Sequence, residues 1–367
     1  MNTFGLKLLA DLAADKPQQN VFVSPLSVFA ALAMAETGSA GETSATLRRV
    51  LAVPQAENEA EFHNSTSALL KSLEAQKDVT LSIANALWSD SKFPLSPNFI
   101  QQCRTLYEAD ATTLNFTDPT AAKTINAWVS RNTKGKIPTI VDEGALRQAA
   151  AVLTNAVYFK GLWAKPFPKS LTQDAPFHLA NGQEKKVPMM RDSDIKDAYR
   201  SGNGFEAAVL PYKSSHPGGS GIVLIAVLPA KGTSPEAALA GIDVKKLYSS
   251  ESARLDLRLP KFTTDYSASL RPALEKLGMG TAFSRQADFK PMGSPNFYIS
   301  DVLHKTKLEV DEEGTVAAAA TSTFMVKSIP LHPEQPKTLV FDRPFGVLLW
   351  DTRGGAILFA GVIYDPN

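Results

Sequence analysis

Short apolar runs bounded by turn residues are spread along the chain after residue 80, and they constrain the fold most strongly. Runs of this length and composition are typical of β-strands. The six runs are LSIANALW (81–88), AVLTNAVYF (151–159), GIVLIAVLP (221–229), ARLDLRLPKF (253–262), LVFDRPFGVLLW (339–350) and AILFAGVIY (356–364). Within the fourth run, RLDLRL alternates strictly between polar and apolar residues, which predicts a strand with one face in water.

The first third of the chain carries helix signals instead. In NVFVSPLSVFAALAMAETGSA, Ser24 is a suitable N-cap, Pro25 suits the first helical position and Gly38 is a suitable stop. The segment 119–136 predicts a second, amphipathic helix that ends near Gly135. Helices clustered before the strands indicate an α+β protein with antiparallel or mixed sheets.

Length and composition limit the classes of protein to consider. With 367 residues, no internal repeat and no long polar linker, we expect one continuous domain over residues 1–367. The formal charge of +1 favours neither nucleic acid nor an acidic membrane as a partner, and no apolar run reaches the ~18–20 residues that span a bilayer. The lone Cys103 leaves no internal disulfide and no paired-cysteine metal or redox site.

The common catalytic signatures are missing from the sequence. It contains no GxGxxG, GxSxG or HExxH motif, and TKGKIPT (133–139) resembles the end of a P-loop but has Ser130 where that loop needs glycine. No two of the five histidines have the spacing of metal ligands on a helix or in a turn. They are His63, His178, His216, His304 and His332. We therefore expect neither a metal-dependent nor a nucleophilic enzyme, and no bound cofactor.

One stretch fits neither a plain strand nor a plain helix. EEGTVAAAATST (312–323) has two acids and a glycine, then four alanines, then a run of Thr and Ser. Alanine is the best helix former, but the neighbouring Thr, Val and Ser are poorer ones. These residues alone are compatible with three interpretations of the stretch: an alanine-rich helix turn, a flexible connector, or a segment that changes its conformation.

Several stretches resemble the serpins, the serine protease inhibitor superfamily. The main ones are NVFVSPLSVFAALAM (20–34), LTNAVYFKGLWAKPF (153–167), VLHKTKLEVDEEGTVAAAATS (302–322) and FDRPFGVLLWD (341–351). Three more fall between them in the family's order, namely INAWVSRNTKGKIPTIV (125–141), LPKF (259–262) and LEKLGMGTAFS (274–284). The resemblance covers essentially the whole chain. It implies an α+β serpin fold, with helices packed around three β-sheets and an exposed C-terminal reactive loop at about 312–338.

By this resemblance, EEGTVAAAA is the hinge of the reactive loop, which enters the main sheet as an extra strand after a protease cleaves the loop. The hinge residues are Glu312, Glu313, Gly314, Thr315, Val316, Ala317, Ala318, Ala319 and Ala320. Successive side chains of a strand face opposite sides. If the side chain of Thr315 points inward, every second side chain after it also points inward, and all of these are small. These residues are Ala317, Ala319, Thr321 and Thr323. Gly314 supplies a permissive backbone where the chain must swing.

The resemblance also assigns two regions of the main sheet. The shutter, where the sheet parts, falls on Ser24, Ser27, Asn155 and His304. Polar groups of this kind can bridge strands by hydrogen bonds and re-pair when the strands separate. The breach, where the hinge enters, falls on Trp163 and on Lys261, which aligns with an ion-pair partner of Glu312. Taken without the resemblance, the same residues are satisfied polar groups and a large tryptophan in the core.

The resemblance implies a scissile bond near residue 328, with its register left open. The family's usual spacing from Gly314 gives Ser328–Ile329. We favour Lys327–Ser328, because lysine suits a trypsin-like protease, whose specificity pocket carries an acid. Chymotrypsin-like and elastase-like proteases remain alternative targets, because the residues just before this bond are apolar. These residues are Phe324, Met325 and Val326.

Two features depart from the family pattern. The segment 328–344 is several residues longer than usual, and prolines recur in it at Pro330, Pro333 and Pro336. This spacing favours an extended, polyproline-like spacer over a docking motif for a proline-binding partner. Gly346 stands where the pattern after RPF has a bulky apolar residue.

The small residues of the hinge favour an inhibitor: an irreversible suicide substrate of serine endopeptidases, with cysteine endopeptidases as a second class. The alternative is a non-inhibitory serpin that acts as a carrier, chaperone or storage protein. Such members usually carry charged, bulky or proline residues in the hinge, whereas none lies between Thr315 and Thr323. We expect a monomer with no catalytic residue of its own. The family favours an extracellular or periplasmic location, although the opening MNTFGLKLLADLAADKP does not have the pattern of a signal peptide.

Overall fold

The structure is a computed structural model that describes residues 1–142, 144–215, 221–294, 296–315 and 335–366. Its helices are α1 (Asn2–Asp15), α2 (Pro25–Glu36), α3 (Gly41–Val50), α4 (Glu59–Glu74), α5 (Pro97–Tyr107), α6 (Thr120–Asn132), α7 (Pro235–Ala240), α8 (Val244–Tyr248) and α9 (Arg271–Leu274). Its strands are β1 (Val21–Val23), β2 (Val79–Asp90), β3 (Asp110–Leu114), β4 (Ala151–Leu162), β5 (Gln173–His178), β6 (Glu184–Gly202), β7 (Phe205–Pro211), β8 (Ile222–Pro229), β9 (Ala253–Pro260), β10 (Phe262–Ser269), β11 (Asp301–Val310), β12 (Gly314–Thr315), β13 (Lys337–Val340), β14 (Phe345–Asp351) and β15 (Ala356–Ile363).

The apolar runs predicted to be strands are confirmed. All six fall on strands, although the run at 253–262 contains the break between β9 and β10 and the run at 339–350 contains the break between β13 and β14. In β9, Leu255, Leu257 and Leu259 are buried while the polar residues between them are half-buried or exposed, as the strict alternation of RLDLRL predicts. Together with the helices of the first third, these strands confirm the α+β class.

The helix signals in the first third are also confirmed. Helix α2 begins at Pro25, and the side chain of Ser24 caps it by accepting a hydrogen bond from the amide of Ser27 at 3.3 Å. The helix ends at Glu36, two residues before Gly38, and all of its residues are buried. A helix that is buried on every side needs no polar face, which is why its sequence is apolar almost throughout.

The long strand β6 was not evident from apolar runs, because charged residues recur along its 19 residues. It pairs antiparallel with β5 near its start, with β9 from Met189 to Tyr199, and with β7 from Tyr199 to Gly202. Strand β6 thereby belongs to a nine-stranded sheet, and the described strands form two hydrogen-bonded sheets, of nine and six strands, where the resemblance implies three.

The chain divides into two compact units. Unit 1 comprises Met1–Asp15, Phe22–Phe159 and Asp265–Lys307, and unit 2 comprises Lys16–Val21, Lys160–Thr264 and Leu308–Asn367. Each unit is assembled from several chain segments. The expectation of one continuous domain stays a prediction.

The core of unit 1 forms where α6 packs against β2 and β4. The ring of Trp128 on α6 meets that of Trp88 on β2 edge to face, with centroids 5.5 Å apart. The indole Nε1 of Trp88 donates to the hydroxyl of Thr154 on β4 at 2.9 Å. Burying both tryptophans fixes the helix over these two strands, which carry part of the site described below.

In unit 2 the strands follow the order β15-β14-β8-β7-β6-β9-β13, and every residue of β14 and β8 is buried. Gly346 lies in β14. A Cβ atom there would stand 2.8–2.9 Å from side-chain carbons of Leu239 on α7. Leu239 therefore occupies the space that a larger residue at position 346 would need, which accounts for this departure from the family pattern.

Candidate functional site

The start of the predicted hinge is held by the segment that follows β4. The amide of Trp163 donates to the carbonyl oxygen of Glu313 at 2.9 Å, and the amide of Phe167 donates to that of Glu312 at 2.8 Å. The indole Nε1 of Trp163 also donates to the carbonyl oxygen of Asp311, at 2.9 Å. Trp163, the predicted breach residue, thus contacts the hinge through both its backbone and its side chain.

The next two hinge residues form the short strand β12. Gly314 pairs antiparallel with Leu162 of β4, and Thr315 pairs antiparallel both with Gly161 of β4 and with Val310 of β11. The side chain of Thr315 is fully buried. The hinge therefore already takes a strand position beside β4 and β11 at Thr315.

Tyr212 secures the Thr315 side chain. The phenol oxygen of Tyr212 lies 2.8 Å from the hydroxyl of Thr315, and the ring of Tyr212 stacks on Trp163 with centroids 4.5 Å apart. Burial raises the pKa of Tyr212, so its phenol is neutral and retains a hydrogen to donate. No sequence motif marks Tyr212, which lies at the end of an otherwise ordinary apolar segment.

In unit 1, β4 and β11 are direct neighbours. They pair in parallel through seven residue pairs, from Asp301 opposite Val152 to Lys307 opposite Tyr158. Two of the predicted shutter residues, His304 and Asn155, face each other in this register. Any strand that followed Thr315 between β4 and β11 would first have to break this ladder.

Gly314 is the hinge position where the backbone is most constrained. Its φ is +149°, outside the range that residues with a side chain readily adopt. A Cβ atom added there would lie 2.2 Å from the carbonyl oxygen of Gly161 and 2.7 Å from Cα of Leu162. Because both contacts are with backbone, no side-chain rotation can relieve them, and the position requires glycine.

We predict that Gly314→Ala destabilises the uncleaved protein, because β12 must leave its place or distort β4. The expected cost is about 2–4 kcal/mol, or roughly 3–5 °C in melting temperature for a chain of this length. The control is Gly355→Ala, since Gly355 also has a positive φ (+68°) but no atom lies within 4 Å of its added Cβ. Circular dichroism melting curves of both variants provide the measurement. An equal and small effect in the two would contradict the close packing of β12.

Two ion pairs surround the two glutamates of the hinge. Lys261 Nζ lies 2.9 Å from one carboxylate oxygen of Glu312, and the hydroxyl of Thr172 donates to the other at 2.9 Å. Burial alone would raise the pKa of Glu312, but the hydrogen bonds from Lys261 and Thr172 outweigh it and hold that pKa below its usual value. The predicted pairing of Lys261 with Glu312 is therefore present in the structure. Lys169 forms the second pair, with Glu313.

The four predicted shutter residues meet in one buried hydrogen-bonded cluster. The amide of Ser24 donates to Nε2 of His304 at 3.1 Å, and Nδ1 of His304 bonds to the side-chain oxygen of Asn155. The amide group of Asn155 donates to the hydroxyl of Ser27 and to the side-chain oxygen of Asn85. Asn85, on β2, was missing from the sequence-based set. The cluster thus connects β4, β11, β2 and the start of α2.

The hydrogen bonds determine which nitrogen of His304 carries the proton. Nε2 accepts from the Ser24 amide, so Nδ1 carries the hydrogen and donates to Asn155. Burial lowers the pKa of His304 to about 3, although its bond with Asn155 acts in the opposite direction. The ring is therefore neutral at ordinary pH, with both nitrogens used.

We predict that His304 makes the protein less stable as pH falls below 6.5. The unfolded chain binds a proton near pH 6.5, whereas the folded ring does so only near its pKa of about 3, so stability is lost through this window. Between pH 7 and pH 5 the expected loss is about 2 kcal/mol. Denaturant titrations of the wild type and of His304→Gln at both pH values measure the difference. Equal pH dependence in the two proteins would show that the ring is not held neutral.

The remaining predicted site residues lie outside the described residues. These are the hinge residues Val316, Ala317, Ala318, Ala319 and Ala320, and the reactive-bond residues Lys327, Ser328 and Ile329. Within the described ranges, no group of three or more His, Cys, Asp or Glu side chains is placed to hold a metal ion. None of the described helices combines the length and the apolar character that crossing a membrane requires.

The chain is similar to known proteins over its whole length. The family model Serpin (serine protease inhibitor) matches residues 1–366. The plasma serine protease inhibitor of Bos taurus is 34% identical, over 99% of this chain and 89% of that protein. Among solved structures, native tengpin, a thermophilic serpin, has a TM-score of 0.88 at 28% identity, covering 99% of this chain and 92% of that one. Thyroxine-binding globulin in complex with thyroxine has a TM-score of 0.86 at 27% identity, covering 99% and 97%.

Proposed function

This chain belongs to the serpin family, and we propose that it is an irreversible suicide-substrate inhibitor of serine endopeptidases. Cysteine endopeptidases are a second class of target. The proposal assigns the chain no catalytic residue, because the nucleophile belongs to the protease. It also takes the protein to be a monomer that acts outside the cytoplasm.

One observation carries the proposal: the hinge enters beside β4 and β11 at Thr315, while the same two strands pair directly at Asp301–Lys307. Thr315 already fills the first strand position between β4 and β11. Further along, at Asp301–Lys307, β11 is still hydrogen-bonded directly to β4. This is the arrangement expected of an uncleaved loop that is ready to extend as a strand. A fixed surface loop would need neither a buried threonine nor a strand position at its base.

The proposed reaction uses the protease's own chemistry. The serine hydroxyl of the protease attacks the carbonyl carbon of the scissile bond and loses its proton to the protease's general base. The carbon–nitrogen bond breaks, the new amino terminus leaves with a proton, and an ester links the protease to the inhibitor. Insertion of the freed hinge strand then moves the ester and distorts the active site before water can hydrolyse it.

The distances suit this mechanism. About fourteen inserted residues, at roughly 3.3 Å each, make a strand of about 45 Å. The cleaved end of the loop, with the attached protease, would therefore move by about the length of this strand.

Insertion also explains the shutter cluster. The new strand must separate β4 from β11, and this breaks the hydrogen bond between His304 and Asn155, which face each other in the ladder. Both side chains lie in a group of hydroxyls and amides that can re-pair with one another. A polar cluster at this point lowers the cost of opening the sheet compared with an interlocked apolar core.

A second candidate function is that of a non-inhibitory carrier. Thyroxine-binding globulin shares the fold and, by its description, binds thyroxine. We rank this function below inhibition because the hinge from Thr315 to Thr323 consists only of small residues and one valine. For the target class we favour trypsin-like enzymes that cut at Lys327–Ser328, with chymotrypsin-like and elastase-like enzymes as alternatives.

The test is to mix the protein with trypsin, chymotrypsin and elastase and to separate the products on a denaturing gel. An inhibitor gives a band at the combined mass, and mass spectrometry of the released C-terminal peptide identifies the cleaved bond. The matched control is the same protease with its serine blocked, which should give no such band. Complete cleavage of the loop without any adduct, by every protease in the panel, would contradict inhibition and favour the carrier.

A further inference from the structure

A cavity of about 370 Å³ in unit 2 lies beside the segment that holds the hinge. It is lined by the residues after β4, by the middle of β6 and by the end of β7. The apolar part of its lining comes from Trp163, Phe167, Ile195, Leu210 and Pro211. Its volume lies within the range of about 300–1,000 Å³ that is usual for small-molecule sites.

Among the described residues that line this cavity, one cation is left without an ion-pair partner. Lys165 Nζ lies 2.6 Å from the carboxylate of Asp192, and the carboxylate of Asp194 pairs with Arg254 at 2.8 Å. Lys196 also lines the cavity and is exposed, and no residue in the described ranges forms a hydrogen bond or an ion pair with its ammonium group. A ligand that matches this lining has an aromatic or otherwise flat apolar body and a single negative charge.

The cavity shares its walls with the support of the hinge. Trp163 holds Asp311 and Glu313, and Phe167 holds Glu312, through the hydrogen bonds described above. A ligand packed against both rings would bind best while these residues keep their present positions. It would stabilise that arrangement by mass action in proportion to its occupancy.

We propose that this cavity binds aromatic monocarboxylates or related amphipathic anions. Binding rests on the cavity itself and does not depend on the proposed inhibitory function.

The binding experiment uses 2-naphthoate as the probe and the neutral naphthalene-2-methanol as its matched compound. Isothermal titration calorimetry on the uncleaved protein should give a dissociation constant on the order of 100 μM for 2-naphthoate. The neutral compound should bind about fivefold more weakly, and Lys196→Met should remove that difference. Lys231→Met changes an exposed lysine outside the cavity and should leave it intact. Absence of saturable binding, or a preference that survives Lys196→Met, would overturn the site.

Discussion

Replacing Thr315 by arginine is expected to turn the inhibitor into a substrate. Thr315 is fully buried between β4 and β11, and its hydroxyl is 2.8 Å from the phenol of Tyr212. A long charged side chain cannot enter this position without leaving a buried cation unpaired. The loop should still be cut, but the hinge would not follow, so the ester would hydrolyse and active protease would be released.

The expected result for Thr315→Arg is loss of the high-mass adduct, with at least tenfold more inhibitor consumed per protease inactivated. Titration of residual protease activity and the denaturing gel measure both quantities. Thr315→Ser keeps the hydroxyl and should trap nearly as well as the wild type. Thr233→Arg places the same charge on an exposed threonine outside the predicted reactive loop and should change nothing. Retained trapping by Thr315→Arg would refute the assignment of the hinge.

The fold was predictable where the sequence pattern is local. Capping by Ser24 and the alternation in β9 depend on neighbours within a few positions, so both could be inferred from the chain itself. Strand β6 could not, because its charged residues are accommodated by pairing with β5, β7 and β9 rather than by burial of an apolar run. Pairing between distant segments leaves no regular pattern in a single sequence.

The site was predictable only where the family pattern supplied its residues. The shutter and breach positions came from motifs, and the structure brings His304 within hydrogen-bonding distance of both Ser24 and Asn155. Tyr212 and Asn85 were missed, although each completes a hydrogen bond to a predicted residue. Tyr212 lies 103 positions before Thr315, and a tyrosine in an apolar segment carries no local sign of such a partner.

Cutting the reactive loop is expected to make the protein more resistant to heat. In the uncleaved molecule β4 and β11 form one parallel ladder of seven residue pairs. A strand continuing from β12, which already pairs antiparallel with both neighbours, would replace this ladder by two antiparallel ones. Antiparallel pairing is also slightly more stable per residue than parallel pairing. The uncleaved form is thus expected to lie above the inserted form in free energy.

The size of this gain follows from the new hydrogen bonds. At roughly 1 kcal/mol net for each, an inserted strand contributes on the order of 10 kcal/mol, which is comparable to the stability of a whole domain. For a chain of this length that corresponds to a rise of about 10 °C or more in melting temperature. Scanning calorimetry before and after limited proteolysis within 316–334 provides the measurement. Thr315→Arg cut in the same way is the control and should show no such rise, because its hinge cannot enter. An unchanged melting temperature in the cut wild type would mean that the intact fold stores no free energy for trapping, and the inhibitory mechanism would fail with it.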